Sequence, residues 1–273
     1  MADIRNALSG HEKIVGREIF CFDTAGSTNT LAMEHARTEF VDGTVFMADS
    51  QTGGRGRLGR TWVSPPGKNI SMSILLKPRL LPRDAPILTL MAAVACVSAI
   101  RQSADVAVTI KWPNDMMVGL KKLGGILTET RTSAVRIEAA VIGIGLNVNG
   151  TARDFPDDIM SVATTLRDET GEVHSRTRLA AAMIRELDAW YDMLMREGKG
   201  PVLSEWVQLC STLGRAVRVT MAESELTGVA EGIDEEGLLV LRLPDQSSVK
   251  ISAGDVTVLR MVSPNPSFAH LRP

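Results

Sequence analysis

Residues 53–62 read GGRGRLGRTW, and the context of this stretch decides between two kinds of fold. From Gly54 to Gly59 it matches G-x-G-x-x-G, the glycine fingerprint of dinucleotide-binding folds. That fingerprint needs a preceding strand, a helix that opens at the third glycine, and an acidic residue about 20 positions later. The sequence TVFMA (44–48) supplies a strand, but the run PPG (65–67) would break the helix. Asp and Glu are absent from 60 to 83, so a dinucleotide-binding fold is not predicted.

We call residues 53–62 the glycine–arginine loop. Its glycines allow the backbone to approach a ligand closely, and Arg55, Arg57 and Arg60 add guanidinium groups. Backbone N–H groups and guanidinium groups together favour a site for phosphate or carboxylate. From these residues alone, a solvated surface loop and an RGG-like nucleic-acid-binding segment remain open.

The composition of the chain helps to decide between these interpretations of the loop. The chain has 273 residues, 44% of them hydrophobic, which predicts a well-buried core and two domains. Its formal net charge is −2, whereas a nucleic-acid-binding protein usually carries a basic excess. A basic loop in a near-neutral protein therefore favours a small anionic ligand.

The cysteines, histidines and apolar segments exclude several classes. Three scattered cysteines without a C-x-x-C pair predict reduced, mostly buried thiols of a cytoplasmic protein. The four histidines, one of them His270, show no metal-ligand spacing, so no metal site is predicted. The longest apolar stretch, 85–100, is shorter than the ~20 residues that span a bilayer, which predicts a buried helix. The N-terminus has no signal-peptide pattern, so neither export nor a membrane span is expected.

Hydrophobic periodicity predicts a mixed sheet followed by a small barrel. Predicted strands are 17–22, 44–48, 69–76 (half-buried), 106–110, 116–118 and an antiparallel pair, 123–131 with 135–148. Four helices are predicted, over 30–40, from Asp84 to about 102, over 178–197 and over 202–209. Residues 27–29 are predicted to cap the first of them and Asp84 the second. From Gly214 onward, five short strands alternate with turns. The prediction is a larger α+β domain over 1–212 and a five-stranded barrel over 213–273.

Five short segments carry the polar residues of interest: STN (27–29), the stretch 51–62, KWPND (111–115), KKLGG (121–125) and GIGLN (143–147). Each has an ordinary structural interpretation when taken alone, as a helix cap, an Asx turn or a solvated lysine. Glycine pairs inside a strand, as in GIGLN, often mark close approach of a ligand or another backbone.

In this order and spacing, the five segments resemble those of the bacterial biotin–protein ligases. The resemblance covers nearly the whole chain, including ATTLRDETG (163–171) and ISAGDV (251–256). It implies a mixed-sheet catalytic fold like that of class II aminoacyl-tRNA synthetases, with a C-terminal SH3-like barrel. About 26 residues precede Ser27, which predicts a ligase-only member without the N-terminal DNA-binding domain.

The resemblance also implies an activity. Biotin and ATP would form biotinyl-5'-AMP and pyrophosphate, and biotin would pass to a lysine of a biotin carboxyl carrier protein in the cytoplasm. Mg²⁺ would be carried by the ATP phosphates, DNA binding is not expected, and the chain would be a monomer or homodimer. The alternatives are a lipoate–protein ligase of the same fold and a non-enzymatic biotin-binding or nucleic-acid-binding module.

Residue roles follow from the matched motifs. The implied biotin-binding residues are Ser27, Thr28, Asn29, Gln51, Gly54, Arg55, Arg57, Lys122 and Gly125. The implied ATP- and adenylate-binding residues are Arg57, Trp62, Asn114, Asp115, Lys122 and Asn147. Lys122, Arg55, Arg57 and Asp115 are the implied catalytic residues, and spacing to Gly125 favours Lys122 over Lys121. Leu58 departs from the pattern, since many members have a basic or polar residue there.

Overall fold

A seven-stranded mixed sheet forms the larger part of the computed structural model, which describes residues 4–8, 10, 12–221 and 224–259. Its strands lie in the order β1-β2-β3-β7-β6-β5-β4, with β1 and β2 parallel and the other pairs antiparallel. They are β1 Ile19–Ala25, β2 Thr44–Gln51, β3 Ile70–Leu76, β4 Val108–Lys111, β5 Asp115–Val118, β6 Lys121–Thr132 and β7 Ile137–Leu146. The predicted mixed sheet and the long antiparallel pair β6–β7 are thus confirmed.

Helices cover the two faces of this sheet unequally. They are α1 Ile4–Ala7, α2 Thr28–His35, α3 Pro86–Ala104, α4 Asp157–Met160, α5 Leu166–Thr170, α6 Arg176–Glu197 and α7 Gly200–Leu209. The apolar helix α3 packs on one face, with α6 and α7 against it, and it is the buried helix that the sequence predicts. By length and composition the segment Pro82–Ala104 could cross a membrane, but 67% of its most apolar window is buried inside the protein. The opposite face is covered in part by α2, and this face carries the cavity described below.

Strand β3 corrects the expectation of a half-buried strand. All of its residues are buried, because one face belongs to the main apolar cluster of the protein and α2 covers the other. The polar side chain of Ser73 therefore faces the interior, where it lies 2.7 Å from Oγ1 of Thr28 and 2.6 Å from Oδ1 of Asn29. A hydroxyl in such a place needs partners, and α2 supplies both.

Several local predictions were wrong. The helix expected over 30–40 ends at His35, and Asp84 does not cap α3 but accepts a hydrogen bond from Lys199 Nζ at 2.8 Å. Cys21 is exposed, because it lies on the edge strand β1, whereas Cys96 is buried as expected. The short helices α1, α4 and α5 were not predicted, since four or five residues are too few to show helical periodicity. His270 and the end of the predicted barrel domain lie outside the described residues.

The C-terminal part forms the five predicted strands. These are β8 Ala216–Thr220, β9 Glu225–Ile233, β10 Leu239–Arg242, β11 Ser248–Ile251 and β12 Asp255–Val258, paired antiparallel in the order β11-β10-β9-β8-β12. Their buried residues, such as Val217 and Leu239, belong to the same apolar cluster as the large sheet and α3. The connecting segment between α7 and β8 contains the predicted boundary at 212. The first residue of β12, Asp255, reaches the cavity.

Candidate active site

The glycine–arginine loop folds back on itself like a hairpin at the end of β2. Trp62 N donates to Gly54 O at 2.9 Å, Gly56 N donates to Arg60 O at 2.7 Å, and Arg55 pairs with Thr61. A β carbon at Gly54 would lie 2.6 Å from Trp62 O, so the close approach of the two arms requires glycine there. At the tip, Leu58 adopts φ +54° and is 64% exposed. The helix of a dinucleotide-binding fold is absent from this described segment, as the sequence predicts.

The floor of the cavity consists of glycines on the neighbouring strands β6 and β7. Gly125 lies opposite Gly145, and Gly143 precedes Gly145 by two residues on β7. A β carbon on Gly143 would overlap the amide of Asn29, and one on Gly145 would overlap the indole of Trp62. The absence of side chains therefore lets α2 and the glycine–arginine loop approach the sheet. Two residues along a strand span about 7 Å, which separates the Asn29 end of the cavity from the Trp62 end.

The Asn29 end is polar and has no net charge, since the only ionised groups beside Asn29 in the described part of the chain are the paired Arg55 and Glu129. Thr28 donates from its backbone N to Oε1 of Gln51 at 2.8 Å, and its hydroxyl lies 3.2 Å from the same atom. Ser73 joins this network from β3, and Ser27, Thr28 and Asn29 are nearly inaccessible to solvent. Donors and acceptors held in this way suit a neutral polar ligand group rather than a charged one.

The Trp62 end is cationic. Lys122 Nζ lies 2.5 Å from Oδ1 of Asp115, and Lys111 Nζ lies 3.3 Å from its Oδ2. Arg57 donates to Oδ1 of Asn114 at 2.9 Å and to the carbonyl of Gly254 at 3.2 Å. Burial lowers the pKa of Arg57, and the negative charge of Asp115 opposes that shift. With the ion pair of Arg60 and Asp255 included, four cations and two carboxylates leave a net charge of two positive at this end, which favours anions.

Lys122 and Lys121 are adjacent but face different surroundings. Lys122 lines the cavity, with Nζ 6.0 Å from the centre of the Trp62 ring and close to Gly125. Lys121 is exposed and is not part of the cavity lining. The structure therefore places in the cavity the lysine that the spacing to Gly125 favours.

The other two arginines of the loop are each paired with a carboxylate of a strand. Arg55 forms an ion pair with Glu129 on β6, at 2.8 Å. Arg60 forms an ion pair with Asp255, at the start of β12. Together with the bonds of Arg57, these contacts attach the loop to the large sheet at one end and to the small sheet at the other.

Most residues implied by the sequence meet in this one cavity. It is lined by Ser27, Thr28, Asn29, Gln51, Arg55, Arg57, Trp62, Asn114, Asp115, Lys122 and Gly125, among others. Gly54 is not in the lining, although it shapes the loop. Asn147 is also outside it: its amide is buried and bonded to Thr164 O at 3.0 Å and to Asn69 Nδ2 at 3.2 Å.

Sequence reasoning missed Ser73, Glu129 and Asp255. Ser73 could have been found as a polar residue inside an apolar strand. Asp255 lies within the quoted ISAGDV segment, but nothing local pointed to an arginine of a distant loop. No sequence pattern around Glu129 indicated a functional role, because only the folding of the sheet brings it next to Arg55.

A metal site in a protein needs several ligating side chains close together. Within the described ranges, no group of three or more His, Cys, Asp or Glu side chains is arranged to hold a metal ion. The expectation that Mg²⁺ arrives on ATP phosphates therefore stays a prediction.

Comparisons with known proteins agree with this geometry. The model of the biotin/lipoate A/B protein ligase family matches residues 21–147, and that of the biotin protein ligase C terminal domain matches 212–259. The biotin–[acetyl-CoA-carboxylase] ligase of Mycobacterium tuberculosis is 32% identical over 89% of this chain and 90% of its own length. The chain belongs to the biotin protein ligase family. It is an enzyme of that family, as the sequence predicts.

Two further relatives extend the match. The bifunctional ligase/repressor BirA of Bacillus subtilis is 35% identical over 89% of this chain and 75% of its own length. The biotin protein ligase of Aquifex aeolicus, solved in complex with biotin and ATP, superposes with a TM-score of 0.75 at 26% identity. That match covers 89% of this chain and 99% of the Aquifex chain. The predicted fold class of this biotin protein ligase family member is thereby confirmed.

The glycine floor makes a direct prediction. We expect Gly143→Ala to lower the free energy of unfolding by about 2 kcal/mol, because its β carbon would displace the buried amide of Asn29 from its partners. Urea unfolding measures the change. The matched control is Gly232→Ala, also within a strand, where a β carbon would meet nothing within 4 Å. Equal unfolding midpoints for the two variants would contradict the close contact of α2 with the sheet.

Proposed function

We propose that this enzyme joins biotin to ATP as biotinyl-5'-AMP and then transfers biotin to a lysine of a biotin carboxyl carrier protein. The observation that supports it most is the polarity of the cavity. One end is neutral and rich in fixed hydrogen-bonding groups, and the other end carries Lys122 and Arg57. Biotin has the same polarity, since an uncharged ureido ring lies at one end and a carboxylate at the other.

The neutral end would hold the ureido ring. Thr28 and Gln51 are fixed by their mutual hydrogen bonds, and Ser73 continues the network behind them. Because these groups carry no charge, they match the ring without a desolvated ion. At the other end of the cavity, the indole N–H of Trp62 is buried and has no partner within the described part of the chain, so a ligand acceptor could satisfy it.

In the first reaction, a carboxylate oxygen of biotin attacks the α-phosphorus of ATP and pyrophosphate leaves. Both reactants are anions. Two unit charges about 4 Å apart repel by roughly 4 kcal/mol at an effective dielectric near 20, equivalent to about a thousandfold in rate. Lys122 and Arg57 would offset this repulsion, and the net positive charge of their cluster remains after pairing with Asp115. Asp115 would hold Lys122 in place, and Asn114 would hold Arg57.

In the second reaction, the neutral amine of the carrier lysine attacks the acyl carbon and AMP leaves. Asp115 is a candidate to accept the amine proton, since it lies beside Lys122 at the cationic end. The glycine–arginine loop would keep water from the anhydride until the carrier arrives. Relatives named for acetyl-CoA carboxylase support a carrier domain of such an enzyme as the partner.

Asn147 would need a different arrangement to contact an adenylate, because its amide is bonded within the protein. Its assignment stays a prediction, as do the cytoplasmic location, the absence of DNA binding and the choice between monomer and homodimer.

The activity is tested by exchange of labelled pyrophosphate into ATP. We expect exchange that depends on biotin and not on lipoate, because the first reaction is reversible and the ring must fit the neutral end. Exchange with lipoate alone would assign the chain to the lipoate branch of the family. Exchange with neither acid would refute the proposed activity.

The role of Lys122 in adenylate formation is tested by comparing its substitution with that of Lys121. Lys122→Ala should lower the rate of adenylate formation at least a hundredfold, since removal of one charged group at developing phosphate charge has effects of this size. Biotin affinity should change less than tenfold, because the neutral end is untouched. Single-turnover kinetics and calorimetry measure the two quantities. Lys121→Ala is the control and should behave as wild type; equal rates for the two variants would refute the role of Lys122.

A further inference from the structure

The three arginines of the glycine–arginine loop do not have equivalent surroundings. Arg57 bonds to Asn114 and Gly254 at the cationic end, and Arg60 pairs with Asp255. Arg55 alone among them is paired with a carboxylate of the large sheet, Glu129 on β6. Its charge is therefore already matched by an acid that belongs to the protein.

Glu129 is anchored to a buried residue of the site. Its Oε2 accepts from Arg55 Nη2 at 2.8 Å and from Asn29 Nδ2 at 2.8 Å. Asn29 is only 4% exposed, and it is fixed in turn by Ser73 Oγ and the carbonyl of Leu127. If the loop lifts, the contact with Asn29 holds the carboxylate at the sheet, so the ion pair with Arg55 opposes the movement.

We propose that Glu129 is a positioning residue that clamps the glycine–arginine loop onto the cavity, and that the side chain of Arg55 acts through this clamp rather than on the reacting groups. The inference rests on the proposed function and assigns Arg55 a narrower role within it. Since Asn29 and Arg55 share one oxygen of Glu129, the clamp also links the neutral end of the cavity to the loop. Anion neutralisation is then left to Lys122 and Arg57.

A clamp has a distinct kinetic signature. If it is weakened, the loop opens more often and the acyl-adenylate escapes, whereas the chemical step retains Lys122 and Arg57. Glu129→Gln keeps the size and an acceptor oxygen for Asn29 but loses the charge that Arg55 requires. We expect this variant to release biotinyl-5'-AMP about five- to tenfold faster than wild type, with its rate of formation changed less than threefold.

The decisive experiment is a double-mutant cycle of Glu129→Gln and Arg55→Gln. The rate of release of labelled biotinyl-5'-AMP is measured after an excess of unlabelled biotin and ATP is added. Each single variant should show the same increase, and the double variant should show no further increase, because both remove one interaction. An increase in the double variant equal to the product of the single increases would overturn the clamp, as would wild-type release by Glu129→Gln.

A second measurement tests the clamp without ligands. Hydrogen exchange at the amides of Gly56 and Trp62, which bond within the loop, should accelerate severalfold in Glu129→Gln. Glu138→Gln is the control, since Glu138 pairs with Arg131 at 3.4 Å on the same two strands but outside the cavity. Unchanged exchange in Glu129→Gln, or equal acceleration in the control, refutes the clamp. A different outcome is also informative. If hydrogen exchange is faster only in Glu129→Gln, but the wild-type protein forms no biotinyl-5'-AMP, the proposed function is refuted and the clamp is not.

Discussion

The site depends on a strip of sheet without side chains. Gly125, Gly143 and Gly145 lie on two paired strands, and a β carbon at either of the last two would overlap Asn29 or Trp62. The helix that supplies the neutral hydrogen-bonding groups can therefore rest on the sheet at one end, and the loop that supplies the arginines can rest on it at the other. A substitution at Gly143 would push the helix away from the sheet, and one at Gly145 would push the loop away.

Charge is distributed around this strip in a way that separates two tasks. Lys122, Lys111 and Arg57 surround Asp115 and leave positive charge in the cavity. Arg55 and Arg60 are instead paired with carboxylates of the two sheets, so they attach the loop. Some arginines of the loop thus contribute to the ligand site, and others attach the loop to the sheets. The partner of each arginine shows which of these two roles it has. This division also explains why the small sheet reaches the cavity, since Gly254 and Asp255 supply two of the attachment points.

Much of the fold could be predicted from the sequence, because strands such as β3 and helices such as α6 are long enough to show their periods. The burial of both faces of β3 could not, since it depends on α2 arriving from a distant part of the chain. The cavity residues were found through short motifs, and the structure brings most of them together. Glu129 and Ser73 were missed because their importance comes from strand pairing and packing rather than from any local pattern. Asn147 shows the converse, a residue of a matched motif whose amide is used inside the protein.

The central claim is that the glycine–arginine loop covers an anionic pair of reactants whose charge is met by Lys122 and Arg57. A crystal structure of the protein with biotinyl-5'-AMP tests it directly. The account predicts the loop over the adenylate, with Lys122 Nζ and the Arg57 guanidinium at hydrogen-bonding distance from the acyl-phosphate oxygens. A loop that points into solvent, with both cations remote from the ligand, would contradict it.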